Sequence, residues 1–171
     1  MSLQNVVEIL AENDGSLPDI DFYFIDEGKV AQAYALIQAR ATHLVSKDAC
    51  YWSTSRQMDL PVVMGQNLAE MVVMGESPGS HIVYGGLTSN SGAPIPDLGV
   101  GVYDGTRISL DYRMGSDWNE AAIEGLFEIM SEWKNLSVNV LITHSANLFD
   151  FDDILITEFN LWYDAQSISD R

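Results

Sequence analysis

Positively charged residues are scarce in this sequence of 171 residues. Eight lysines and arginines stand against 25 aspartates and glutamates, which gives a formal net charge of -17 at pH 7. A surface with so few cations repels the phosphates of nucleic acids and anionic membranes. We therefore expect no nucleic-acid partner and no membrane partner. Such a surface attracts basic proteins or cations, although acidity also serves solubility alone.

Cysteine and long apolar runs are also nearly absent. The single Cys50 cannot form an internal disulfide, which is typical of a reducing compartment and predicts a cytoplasmic protein. No apolar run approaches the roughly 18 residues of a membrane-spanning helix. Residues 1–14 contain three acids and no base, so they lack the charge pattern of a secretory signal.

The hydrophobic and aromatic content of the chain predicts one globular domain spanning residues 1–171. The chain is 47% hydrophobic and 10% aromatic, which is globular rather than disordered usage. A domain of this length buries about 70% of the surface of its unfolded chain. It can therefore be stable without a metal or a disulfide.

Hydrophobic periodicity predicts an α+β fold, in which a mixed, mainly antiparallel sheet packs against two long amphipathic helices. The two helices are expected at residues 29–45 and 118–133. A shorter helix is expected at 3–12 and a strand at 19–25. The best hairpin joins strands in the stretch 98–112 through Asp104-Gly105, a sequence typical of a two-residue type I′ turn.

Several segments are less decided by the sequence alone. Residues 67–72 fit a short helix or a strand, and residues 85–96 are predicted to be a long irregular loop. Strands are expected at 81–84 and 138–143. In residues 154–163 the apolar spacing fits a helix, but the β-branched and aromatic content favours a strand, which is our prediction.

Four glutamates recur every fourth residue along the second long helix. They are Glu120, Glu124, Glu128 and Glu132, and we term them the glutamate ridge. Each four-residue step turns about 40° around the helix axis, so the carboxylates form one continuous line. The opposite face carries an apolar stripe of Trp118, Ala122, Leu126, Ile129, Met130 and Trp133.

The glutamate ridge is the strongest functional signal in the sequence. Like charges four residues apart destabilise a helix by about 0.2–0.5 kcal/mol per pair, and no lysine is interleaved to offset them. A basic partner docked on the ridge would screen this repulsion. Asp150, Asp152 and Asp153 are predicted to extend the same acidic surface. Their spacing does not provide the ligands of a calcium loop, and an acidic turn that resists strand pairing is the simpler alternative.

A second candidate site lies near the 85–96 loop, where titratable and aromatic residues are dense. Its predicted residues are His81, Tyr84, Asp111 and Arg113, which could form a small-molecule or catalytic pocket. The three histidines of the chain have no zinc-ligand spacing. The glycines at 99 and 101 lack the spacing of a dinucleotide fingerprint. We therefore expect no metal and no cofactor.

The pattern Gly-x-Ser-x-Gly at residues 75–79 also occurs in the nucleophile elbows of hydrolases. In those enzymes a helix follows the serine, whereas here a predicted strand follows. We interpret the segment as a turn.

These observations favour an acidic protein-interaction module that binds a basic protein partner, with an immunity-like or inhibitor-like role as one example. The alternative is a small enzyme or small-molecule-binding domain with a site near the 85–96 loop, and the absence of a catalytic signature makes an enzyme the less favoured reading. A third interpretation is a homo-oligomer that associates through aromatic residues such as Trp162 and Tyr163.

Overall fold

The computed structural model describes residues 3–12, 14–144 and 152–169 of the chain. In chain order the elements are α1 (Gln4–Ala11), β1 (Asp19–Phe24), α2 (Gly28–Arg40), β2 (His43–Leu44), β3 (Cys50–Ser53), β4 (Met58–Pro61), α3 (Leu68–Val73), β5 (Ser80–Gly85), β6 (Leu87–Thr88), β7 (Pro94–Ile95), β8 (Leu98–Val102), β9 (Arg107–Tyr112), α4 (Glu120–Lys134), β10 (Val140–His144) and α5 (Asp152–Ser169). The predicted α+β class is confirmed.

A six-stranded sheet in the order β10-β1-β9-β8-β5-β2 organises the fold. Its neighbouring strands are antiparallel. Because successive side chains of a strand point to opposite faces, every second residue faces the helices. These inward residues include Ile20, Phe22, Phe24, Ile82, Tyr84, Leu98, Val100, Val102, Ile108, Leu110 and Tyr112, all of which are buried. They form one core with the apolar sides of the helices.

The intervening residues of the strands point to the other face of the sheet, which we term the open face. It carries Asp19, Asp21, Tyr23, His81, Val83, Gly99, Gly101, Arg107, Ser109, Asp111, Leu141 and Thr143, as the strand register shows. Parts of this face are exposed to solvent: Leu141 is 61% exposed and the His81 side chain 52%.

The whole predicted apolar stripe is buried, with Trp118 just before α4 and its other members on the helix. Its Trp133 packs edge-on against Phe22 of β1, with the ring centroids 5.1 Å apart. The predicted start of this helix at 118 is slightly wrong. The N-cap is Asn119, whose Oδ1 accepts a hydrogen bond from the Ala122 backbone N–H at 3.0 Å.

Helix α2 ends five residues earlier than predicted. The prediction of a helix to residue 45 is wrong because the backbone becomes extended at Ala41 (φ -86, ψ 145). From there the chain pairs with β5: Thr42 N–H donates to the Gly85 carbonyl and Val45 N–H to that of Val83, both at 3.0 Å. The apolar spacing continues through this edge strand, so periodicity alone does not reveal the boundary.

Residues 154–163 form part of helix α5, and the prediction of a strand is wrong. Leu155 and Phe159, four residues apart, are both buried. The ring of Phe159 packs 5.5 Å from that of Phe127 on α4, measured between centroids. Burial of one helical stripe against α4 therefore overrides the strand preference of the β-branched residues.

Three local predictions are also revised. The 85–96 loop contains the short hairpin of β6 and β7, and residues 68–73 form α3, capped by the Asn67 side chain. The predicted β8–β9 hairpin is present, but its turn is not type I′, because neither Asp104 nor Gly105 has a positive φ. Instead, Asp104 Oδ1 accepts hydrogen bonds from the backbone N–H groups of Thr106 and Arg107.

Candidate functional site

Arg40, the last residue of α2, lies against the C-terminal half of the glutamate ridge. Its Nη2 and Nε donate to the two carboxylate oxygens of Glu132 at 2.6 and 3.2 Å, and its Nη1 reaches Glu128 at 3.5 Å. The Arg40 side chain is only 12% exposed, compared with 19% for Glu128 and 35% for Glu132. Two-point contacts of this kind are the strong form of arginine–carboxylate recognition.

The interpretation of the ridge as uncompensated is therefore wrong for Glu128 and Glu132. The cation that offsets their repulsion comes from a different helix. Sequence spacing along α4 could not reveal it.

The same guanidinium also anchors the 85–96 loop. Arg40 donates to the Thr88 carbonyl at 3.0 Å and to Asn90 Oδ1 at 2.9 Å. The Asn90 backbone N–H donates in turn to Glu128 Oε2 at 2.6 Å. Gly125 of α4 permits this close approach, since a Cβ there would lie 2.7 Å from Ile95 Cδ1. The loop is thus fixed against α2 and α4, on the helical side of the sheet.

Two shallow grooves flank Asn90. One, of about 350 Å³, is lined in part by Arg40, Thr88 and Glu132. The other, of about 260 Å³, lies between α4 and α5, and we term it the ridge groove. It is lined by Asn90, Glu124, Glu128, Ser131, Trp162 and Gln166. Three of the four ridge glutamates therefore line one of these grooves: Glu124 and Glu128 line the ridge groove, and Glu132 lines the other.

The remaining acids of the predicted partner-binding surface differ in their surroundings. Glu120 accepts a hydrogen bond from the Leu3 backbone N–H at 3.2 Å. Glu124 is exposed. Asp150 lies outside the described residues, and Asp152 and Asp153 belong to the first turn of α5. The predicted extension of the acidic surface through these three aspartates stays a prediction.

On the open face, the structure brings together two of the four residues predicted for the alternative pocket. His81 Nε2 lies 2.5 Å from Asp111 Oδ2. These residues belong to β5 and β9, which flank β8 and are therefore about 10 Å apart at usual strand spacing. Gly99 of β8 leaves the space in which they meet, because a Cβ at this position would overlap the Asp111 carboxylate.

The contact with Asp111 changes the acid–base behaviour of His81. The hydrogen bond to Asp111 raises the pKa of the imidazole, and the negative charges of Asp111 and Asp19 act in the same direction against partial burial. The pair can hold a proton on a half-exposed ring. In the part of the chain that the structure describes, no hydroxyl or thiol is hydrogen-bonded to His81, so no nucleophile is aligned for activation.

Tyr84 and Arg113 do not join this pair. Tyr84 points to the helical side, where its hydroxyl donates to Tyr34 at 2.7 Å and accepts from Gln38 at 3.0 Å. Burial raises the pKa of the Tyr84 hydroxyl. Arg113 lies beyond the end of β9 with an exposed side chain. The four residues therefore do not form one pocket.

Sequence reasoning missed a row of side chains across the open face, centred on Arg107. Its guanidinium makes a two-point contact with the buried Asp21, at 3.1 Å for each bond. It lies 4.3 Å from the ring centroid of Tyr103 and 5.4 Å from that of Tyr23, and Leu141 is opposite Tyr23. The alternation within β9 gave the signal that Arg107 faces outward, but its partners come from β1 and from Tyr103, which follows β8.

Two features are absent from residues 3–12, 14–144 and 152–169. Within these ranges no group of three or more histidine, cysteine, aspartate or glutamate side chains is arranged to hold a metal ion. The helices in the same ranges include none with the length and apolar character needed to cross a bilayer.

Comparisons with protein-family models, with curated protein sequences and with solved structures found no match to this chain.

Proposed function

We propose that this protein is an acidic interaction module that binds a basic protein partner through the side formed by α4 and α5. One observation carries the proposal. The two basic side chains on this side are already bound by other residues of the chain, whereas two carboxylates are exposed and have no basic partner among the described residues. Arg40 is held by Glu128 and Glu132. Lys134 donates to Asn160 at 3.0 Å and lies 4.1 Å from the Tyr163 ring centroid.

The open carboxylates are Glu124 on α4 and Asp164 on α5. Both are exposed, and neither forms an ion pair within the described ranges. With a net charge of -17, this surface would steer a basic partner and accelerate association in a salt-sensitive way. Inhibition of a cationic toxin or nuclease, as by an immunity protein, requires no more than such a surface. Exposed, unpaired Cys50 suits the proposed cytoplasmic setting.

The test is affinity capture followed by measurement of the dissociation constant at low and high salt. The informative variant is Glu124→Lys with Asp164→Lys, because these acids form no ion pair among the described residues and the fold should be kept. Its matched control is Asp48→Lys with Asp59→Lys, which changes the net charge equally at exposed positions of the turn before β3 and of β4.

We expect the α4–α5 variant to weaken binding by at least about tenfold, or 1.4 kcal/mol, and the control to have a much smaller effect. Equal losses in the two variants would mean that only the total charge matters. A captured partner whose affinity ignores both salt and charge reversal would contradict the proposal.

The second candidate function is small-molecule binding at the His81–Asp111 pair. It is favoured by the position of the pair on the open face, where the His81 side chain is 52% exposed and its ring is hydrogen-bonded to Asp111. The test is a small-molecule fragment screen read by the imidazole resonances of His81, with Asp111→Asn as the comparison. If no fragment perturbs His81 in the wild-type chain, this candidate is excluded.

A further inference from the structure

The glutamate ridge already binds one guanidinium, that of Arg40. The binding groups are two glutamates four residues apart, the amide oxygen of Asn90 and one backbone carbonyl. Together they surround a planar cation with acceptors on several sides. This site shows which chemistry the ridge recognises when a cation is within reach.

One turn towards the N-terminus of α4, a second pair of glutamates lines the ridge groove, and of these two only Glu128 is paired with Arg40 among the described residues. Glu124 and Glu128 are again four residues apart, and Asn90 lines this groove as well as the one that holds Arg40. Glu128 uses only Oε2 for its contacts with Arg40 and Asn90. Its Oε1 therefore remains able to accept a hydrogen bond.

The far wall of the ridge groove adds an aromatic surface. Trp162 of α5 is half-buried beside Gln166 and Ser131. A guanidinium is planar, stacks on indole rings and donates in a fork that matches carboxylates, whereas an ammonium is a compact and strongly hydrated charge. The volume of about 260 Å³ suits one long side chain rather than a folded segment.

We infer that the ridge groove is a guanidinium-binding site, which receives an arginine side chain of the basic partner between Glu124 and Trp162. This inference rests on the proposed function for the source of the arginine. A second copy of this chain is disfavoured as that source, because two molecules that each carry -17 repel one another.

The test uses a free probe and does not need the partner. N-acetyl-arginine methylamide is titrated into the 15N-labelled full-length protein, and the indole N–H resonance of Trp162 is followed after assignment with Trp162→Phe. The neutral citrulline analogue has nearly the same shape and serves as the matched probe, and the lysine analogue tests the preference for a planar cation. We expect a saturable shift with the arginine probe, a several-fold weaker response with lysine and none with citrulline.

Glu124→Gln should weaken binding of the arginine probe several-fold, and Asp48→Asn, at an exposed position outside the groove, should leave it unchanged. Well-dispersed spectra show that each variant is folded. Equal responses to arginine and citrulline, or a response that ignores Glu124→Gln, would overturn the inference. If the arginine probe does not bind but the affinity for a basic partner still depends on Glu124 and Asp164, the arginine site is refuted and the proposed function stands. If that dependence is absent as well, the proposed function fails with it.

Discussion

Replacing Arg40 by methionine tests whether the cation between α2 and α4 holds the helical layer together. Methionine keeps an apolar stem but removes every hydrogen bond to Glu128, Glu132, Thr88 and Asn90. Breaking a fully buried ion pair costs about 3–5 kcal/mol, chiefly because one charge is left buried and unpaired.

The expected cost is somewhat smaller because the carboxylates can partly rehydrate. The Glu132 side chain is 35% exposed, but that of Glu128 is only 19% exposed. We therefore expect Arg40→Met to lower the free energy of unfolding by about 2–3 kcal/mol. In a domain of this size that corresponds to a fall in Tm of roughly 4–12 °C.

The assay is urea unfolding with an unchanged m-value, together with hydrogen exchange at the Asn90 amide, which should become faster. Arg113→Met is the matched control, because Arg113 is exposed, and its cost should stay within about 0.5 kcal/mol. A double-mutant cycle with Glu132→Gln should give a coupling of about 1 kcal/mol or more. A cost for Arg40→Met no larger than that of the control would refute the role assigned to this cation.

Three further predictions concern the open face and α5. Gly99→Ala should destabilise the protein by about 1–3 kcal/mol in urea unfolding, since the added Cβ overlaps Asp111. The control is Gly28→Ala, at a helical position with space around it, which should be neutral or stabilising. Because Asp111 raises the pKa of His81, the stability from this pair should be complete below about pH 6.5. This stability should be lost as the pH rises through the pKa of His81 in the folded protein. NMR titration of His81 should show the raised pKa, and Asp111→Asn should lower that pKa. Phe159→Ala should cost about 3–5 kcal/mol of unfolding free energy, because this ring is fully buried; a cost below about 1 kcal/mol would contradict the packing of α5.

The spacing of apolar residues was enough to predict those elements whose buried side is decided by residues close in sequence. The apolar stripe of α4 and the β8–β9 hairpin are confirmed because spacing along one element decides which side is buried. The end of α2 and the identity of α5 are different. Thr42 leaves the helix because β5 offers a pairing edge, and Phe159 takes a helical position because Phe127 lies opposite. Both partners are distant in sequence.

The candidate sites show the same division. His81 and Tyr84 are an odd number of residues apart in one strand, so alternation alone already places them on opposite faces, and this signal was available in the sequence. The contact between His81 and Asp111 was not predictable in the same way, because it depends on the intervening β8 and on the absence of a side chain at Gly99. Likewise, Arg40 meets the glutamate ridge only because α2 lies beside α4.

The strand order has a consequence for how the chain reaches its fold. Strand β1 precedes the other strands of this sheet in the chain, yet both of its neighbours, β9 and β10, follow it by more than 80 residues. Pairings between such distant segments slow folding. Until they form, the aromatic-containing strand Asp19–Phe24 has two unpaired edges, a condition that promotes association between incomplete chains. The strong acidity of the sequence opposes that association, since like charges keep unfinished molecules apart.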